Sequence, residues 1–240
     1  MSQGEHKMPD KHLSTQFDSE LSSVSTRVME MGGLVEVQVQ QAVQALAQFS
    51  AEPARQVIEL EDRVNAMDIE LDHEISSIIA RRQPTARDLR LLMAVAKVVA
   101  NLERAGDEAE KMARMVLSII ETGAPRTLPS AELRTASSLA SGQLRKALDA
   151  FARLDTTAAV AILREDDLID REFDSFVRVL ITYMMEDPRT ISPSLDLLFL
   201  AKAIERVGDH AKNIAELIIY IVKGADIRHA SIEQIEAVLK

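Results

Sequence analysis

The sequence predicts an all-α protein: two tandem, pseudo-symmetric three-helix bundles made from six long helices. Three observations carry this. Apolar residues recur at helical period along nearly the whole chain. Proline (7 residues) is scarce and falls at the ends of the periodic stretches, while Ala, Leu, Glu and Arg abound. The motifs of the second and third helices recur, in the same order, in the fifth and sixth.

The elements follow from those signals. Helix 1 is expected at 14–50, before Pro53, and helix 2 at 53–82, before Pro84. Helix 3, at 86–122, stops at Gly123 and Pro125. Helix 4 follows at 130–153, helix 5 at 156–186 and helix 6 at 193–223, with Pro188 and Pro193 between the last two and Gly224 closing the set. The expected division is a disordered tail at 1–12, an N-terminal bundle at 13–123, a linker at 124–129, a C-terminal bundle at 130–230 and a C-terminal tail at 231–240.

Composition excludes several functions. A net charge of −10 argues against nucleic-acid binding, which needs clustered Lys and Arg. The absence of cysteine removes disulfides and thiolate metal sites and fits the cytoplasm. The most apolar stretches, 91–102 and 217–222, fall short of the roughly 20 residues a membrane span needs, and 1–12 lacks the apolar core of a signal peptide. Any membrane connection is therefore expected through a partner.

The repeat carries the chemistry. Leu102-Glu103-Arg104-Ala105-Gly106-Asp107 matches Ile204-Glu205-Arg206-Val207-Gly208-Asp209, and Glu61-Asp62-Arg63-Val64-Asn65 resembles Asp166-Asp167-Leu168-Ile169-Asp170. Residues four apart share a helix face, so Glu103 pairs with Asp107 and Glu205 with Asp209. Both pairs lie at the edge of the apolar stripe, as do Glu61 with Asn65 and Asp166 with Asp170. Half-buried carboxylates side by side need a proton, an Arg partner or a metal ion. If helices 2 and 3 pack antiparallel, four oxygen-bearing side chains converge, the way helical bundles build carboxylate-bridged metal sites. Oxygen donors suit Mg, Mn, Fe or Ca, with Zn less natural. Ion pairing with Arg104 and Arg206, or plain solvated acids, are the competing readings. A Gly inside a helix costs about 1 kcal/mol relative to Ala, so Gly106 and Gly208 suggest close approach by a helix or an ion. His210, beside Asp209, has Glu108 in the other half. No nucleophile elbow, phosphate loop or dinucleotide fingerprint is present, and no enzyme is expected. The alternative is a carboxylate-bridged di-metal enzyme or a metal-storage bundle.

Over roughly 13–230 the sequence resembles the PhoU family of phosphate-transport regulators. The resemblance rests on residues 80–90 (ARRQPTARDLR), the two Glu-Arg-x-Gly-Asp motifs, residues 183–187 (YMMED) and residues 220–224 (YIVKG). It implies two three-helix bundles that bind multinuclear metal clusters (Mg, Mn, Fe or Zn) through Glu61, Asn65, Glu103 and Asp107, and through Asp166, Asp170, Glu205 and Asp209. Asn65 departs from the pattern: it is neutral and offers one carbonyl oxygen, so weaker binding is expected in the first half. The resemblance also implies a cytoplasmic homodimer that represses the phosphate-starvation response, coupling the ATPase subunit of the phosphate ABC transporter to the PhoR sensor histidine kinase. Helices 1 and 4, which carry no acidic pair, are expected to be the freer surfaces for such partners.

Overall fold

The computed structural model describes residues 10–123, 129, 133–165 and 167–239. The helices are α1 (Asp10–Gln48), α2 (Ala51–Arg82), α3 (Ala86–Glu121), α4 (Leu133–Arg153), α5 (Thr156–Glu165), α6 (Asp167–Glu186), α7 (Ile191–Lys223) and α8 (Ile232–Leu239), with a 3₁₀ turn at Pro188–Thr190. No strand occurs among the described residues. The all-α expectation holds.

Periodicity explains each element. Along α2 the buried residues are Ala54, Val57, Glu61, Val64, Leu71, Ile75 and Ile78, in steps of three, four and seven that make one stripe. The helix stops at Gln83, which turns left-handed (φ 49°) and donates its N–H to the Ile79 carbonyl. In α7, Gly224 does the same at φ 72°, donating to Tyr220; here glycine carries no steric cost.

Some boundaries move. Pro53 and Pro193, read as lying at helix starts, sit inside the first turns of α2 and α7, which begin at Ala51 and Ile191. A first-turn proline loses no helical hydrogen bond, because its N–H would have no partner there. The expected helix 5 is described as α5 and α6, on either side of residue 166, which lies outside the described residues. Of the expected tail at 1–12, residues 10–12 open α1 and the rest lie outside; the expected linker is likewise outside except for Pro129. The segment expected as a C-terminal tail contains α8, which packs on α5 and buries Ile235.

The helices form one continuous core. α1, α2 and α3 pack on one another, and α4, α5 and α6 pack on α7. The two groups are joined where α3 lies against α7 and α1 against α4. The seam between α3 and α7 is antiparallel in one register. Ser118 Oγ donates to Asp196 Oδ2 at 2.8 Å, Arg206 Nη1 to Glu108 Oε1 at 3.3 Å, and Asn213 Nδ2 to Asn101 Oδ1 at 3.0 Å. As the α3 number falls, the α7 number rises in equal steps. The α1–α4 contact corrects the expectation that those helices are the freer surfaces. A Cβ on Gly32 would run into Leu148, and Arg145 Nε donates to Glu36 Oε1 at 2.6 Å.

Candidate functional site: two carboxylate clusters beside a helical seam

In the first half, Glu61 occupies a core position on α2, only 3% exposed. Burying a carboxylate is costly unless it is paired. Its partner comes from α1: Gln38 Nε2 donates to Glu61 Oε2 at 2.7 Å and, more weakly, to the Val57 carbonyl at 3.4 Å. Glu61 Oε1 and Gln38 Oε1 are buried with no hydrogen-bond partner. Burial pushes the Glu61 carboxyl up to about 7; the Gln38 bond opposes this, and Asp107, Glu110 and Glu103 add to it. Glu103 is raised by burial and by its neighbours Asp107 and Asp68, against Arg104 and Lys111. Asp68 is raised by burial and by Asp72. Glu61, Glu103 and Asp107 thus stand near enough to influence one another electrostatically, with Asn65 half-buried one turn from Glu61. The structure adds Gln38, Asp68 and Glu110.

Gly106 makes this possible. A Cβ there would lie 2.8 Å from Glu61 Oε2 and 3.1 Å from Gln38 Oε1. The close approach predicted from this glycine is made by two buried polar side chains.

The second half keeps the frame and changes the filling. Gln143 on α4 is buried and, like Gln38, leaves its Oε1 without a hydrogen-bond partner. That oxygen lies 3.3 Å from where a Cβ on Gly208 would stand, with Ile169 Cδ1 at 2.6 Å. Glu205 is half-buried with Lys202 Nζ at 2.5 Å from its Oε2, and that ammonium lies 5.2 Å from the Phe173 ring centre. Asp170 and Asp209 are exposed; Asp166 lies outside the described residues. The glutamines could have been found in the sequence. Each is a polar residue at a core position of its helix, and their spacing equals that between Glu61 and Asp166.

Between the clusters runs the seam. Glu108 accepts from Lys111 Nζ at 2.8 Å as well as from Arg206. His210 Nδ1 stands 3.1 Å from Asn101 Oδ1. Burial holds the His210 imidazole down at about 4; Glu108 opposes this, and Arg104, Arg206 and Lys111 reinforce it. The ion pairing weighed for Arg206 is made across the seam, to Glu108.

The donor chemistry of the first half suits a hard or borderline cation: three neighbouring carboxylates, two buried oxygens without partners, and the Glu61 and Glu103 carboxyls pushed up by burial first and by neighbouring acids second. Among the described residues no three His, Asp or Glu side chains are gathered in ligating geometry, so these side chains would have to swing inward to hold an ion.

The sequence model of the PhoU domain matches residues 28–116 and 133–218. A phosphate-specific transport system accessory protein PhoU homolog from Burkholderia sp. is 51% identical over 95% of this chain and 97% of its own length. The accessory protein PhoU of Escherichia coli (strain K12) is 45% identical over 96% of this chain and 95% of its own length. The crystal structure of PhoU from Pseudomonas aeruginosa superposes with a TM-score of 0.84 at 44% identity, over 87% of this chain and all of that one. The phosphate transport system regulatory protein PhoU of Streptococcus pneumoniae reaches 0.81 at 25% identity, over 88% and 98%. With both halves matched, and relatives this similar over nearly their full length, the chain belongs to the PhoU family.

Proposed function

We propose that this protein is a regulatory accessory of the phosphate-specific transport system, without catalytic activity of its own. The observation that carries the reading is near-end-to-end similarity, through both repeats, to proteins bearing that name. In this reading it works in the cytoplasm as a homodimer and keeps the phosphate-starvation response off when phosphate is ample. It does so by contacting the ATPase subunit of the phosphate ABC transporter and the PhoR sensor histidine kinase. In this reading the protein meets the membrane through those partners; no helix of the described residues is long and apolar enough to cross it.

Metal ions (Mg, Mn, Fe or Zn) belong to the same proposal. Glu61, Asn65, Glu103 and Asp107 would hold them in the first half, and Asp166, Asp170, Glu205 and Asp209 in the second. A bound cation would neutralise the repulsion among the first-half acids and fasten α2 to α3.

Deleting the gene and reading starvation-gene expression in rich phosphate, with pull-downs from the same cells, tests the role. The expected result is derepression on deletion and recovery of both partners with the protein. Continued repression, with neither partner recovered, would overturn it.

A further inference from the structure

Along the seam, α3, α7 and the turn after α7 line a half-open cavity of about 340 Å³. Its lining is unusual for a chain of net charge −10. Three cationic side chains, Lys97, Arg104 and Arg228, converge on it. Arg228 is paired to Asp226, with Nε at 3.0 Å and Nη2 at 2.5 Å, which leaves its Nη1 outside that fork. Arg104 and Lys97 have no ion-pair partner among the described residues; Lys97 lies 5.7 Å from the Tyr220 ring centre. The other carboxyl in the lining, Glu216, is held above its usual range by burial, which favours its neutral form. Arg104 also lines a second cavity of about 320 Å³ beside the repeated motifs, so it stands at the join of the two.

A guanidinium fork with no carboxylate to hold matches two oxygens of a phosphoryl group, and an ammonium supplies a point charge beside it. Small-molecule sites run from about 300 to 1,000 Å³, and this cavity is several times too large for orthophosphate alone. The surplus volume is bounded by Tyr220, Leu217 and Ile227. We propose that this cavity binds a small phosphate ester, its phosphoryl dianion held by Lys97, Arg104 and Arg228 and its organic part laid against Tyr220 and Leu217. Such a site needs neither carboxylate cluster nor any protein partner.

Calorimetric titration of the full chain, stripped of metal by chelator and then dialysed, tests this at constant ionic strength. The probes are adenosine 5′-monophosphate, glucose 6-phosphate, inorganic phosphate and citrate. At least one ester should bind, and Arg104→Gln and Lys97→Gln should each weaken it by about tenfold or more, the scale of losing one charge-assisted bond. Asp226→Asn, which releases Arg228, should tighten it. Both cations are exposed, and circular dichroism checks that each variant folds. The proposal is overturned if neither ester binds up to roughly 10 mM (about 3 kcal/mol), or if binding ignores both substitutions. It also fails if citrate binds as well as the esters, or if inorganic phosphate matches them, because the organic part then contributes nothing.

Discussion

Gln38 and Glu61 meet in the core of the first bundle, where one amide N–H, at 2.7 Å, supports a carboxylate whose other oxygen has no partner. A buried charge supported by a single neutral donor is sensitive to that donor. Gln38→Leu should cost about 1–3 kcal/mol at pH 8, where Glu61 is ionised, and clearly less at pH 5, where it is protonated. Urea unfolding of metal-free protein at both values checks this; equal losses would show that Gln38 acts by packing alone.

Stability should depend on pH through two groups that pull in opposite directions. Folded Glu61 keeps its proton up to about 7, whereas the unfolded group releases it near 4.5. Its contribution is therefore full below 4.5 and lost as pH rises through 7. His210 takes up a proton near 4 when folded and near 6.5 when unfolded, so its contribution is present above 6.5 and lost as pH falls through 4. Each is worth at most about 3 kcal/mol. Between 4.5 and 6.5 the two slopes oppose each other. In metal-free protein, Glu61→Gln should make stability rise more steeply with pH than in the parent, and His210→Asn should do the reverse. Curves parallel to the parent for both variants would refute the assignment.

Cations should raise the melting temperature by binding the folded state preferentially. Glu205→Ala and Asp209→Ala should reduce that gain most, because the second half carries four acids where the first has three and Asn65. Near pH 7, binding should also release protons, since Glu61 titrates there; Glu61→Gln should remove that release. Unchanged metal stoichiometry in a protein lacking all eight proposed ligands would rule the metal sites out.

Gly208 and Ile169 should be coupled. A Cβ at position 208 would stand 2.6 Å from Ile169 Cδ1, the atom that Ile169→Val deletes. Gly208→Ala alone gains roughly 1 kcal/mol of helix propensity and should still come out destabilised, because α7 is tightly packed there. Adding Ile169→Val should recover that loss, with a coupling energy above about 0.5 kcal/mol in a double-mutant cycle. Additive effects would mean that the core yields elsewhere.

The helices were legible because their buried faces repeat at fixed spacing, and the first carboxylate cluster because Glu61, Glu103 and Asp107 sit on or beside those stripes. What stayed hidden depended on contacts distant in sequence. Lys202 stands three residues before Glu205, a pairing the spacing allows, but nothing near it in sequence shows that its ammonium will also lie over Phe173 of α6. The α1–α4 contact needs Gly32 to admit Leu148, a fact visible only once both helices are placed. Residues 232–239 repeat their apolar side chains at helical spacing but are too few to announce a helix on their own; α8 packs on α5. Gln38 was missed because an amide reads as surface unless its position in the stripe is given more weight than its polarity.

The register between α3 and α7 has an evolutionary consequence. The Arg206–Glu108 contact has Arg104 and His210 as its counterpart in the repeat, and all four line the same cavity. Helices that meet antiparallel, symmetrically about a duplicated motif, have the geometry of two identical subunits joined around a two-fold axis. The seam is such an interface taken inside one chain. Fusion frees that contact from dependence on protein concentration, and it lifts the constraint that both sides be the same. A self-associating single repeat would place Glu against both arginines or His against both. Here the duplicated positions have diverged, as have Asn65 and Asp170 or Val64 and Ile169, so the two faces of the seam no longer carry the same chemistry.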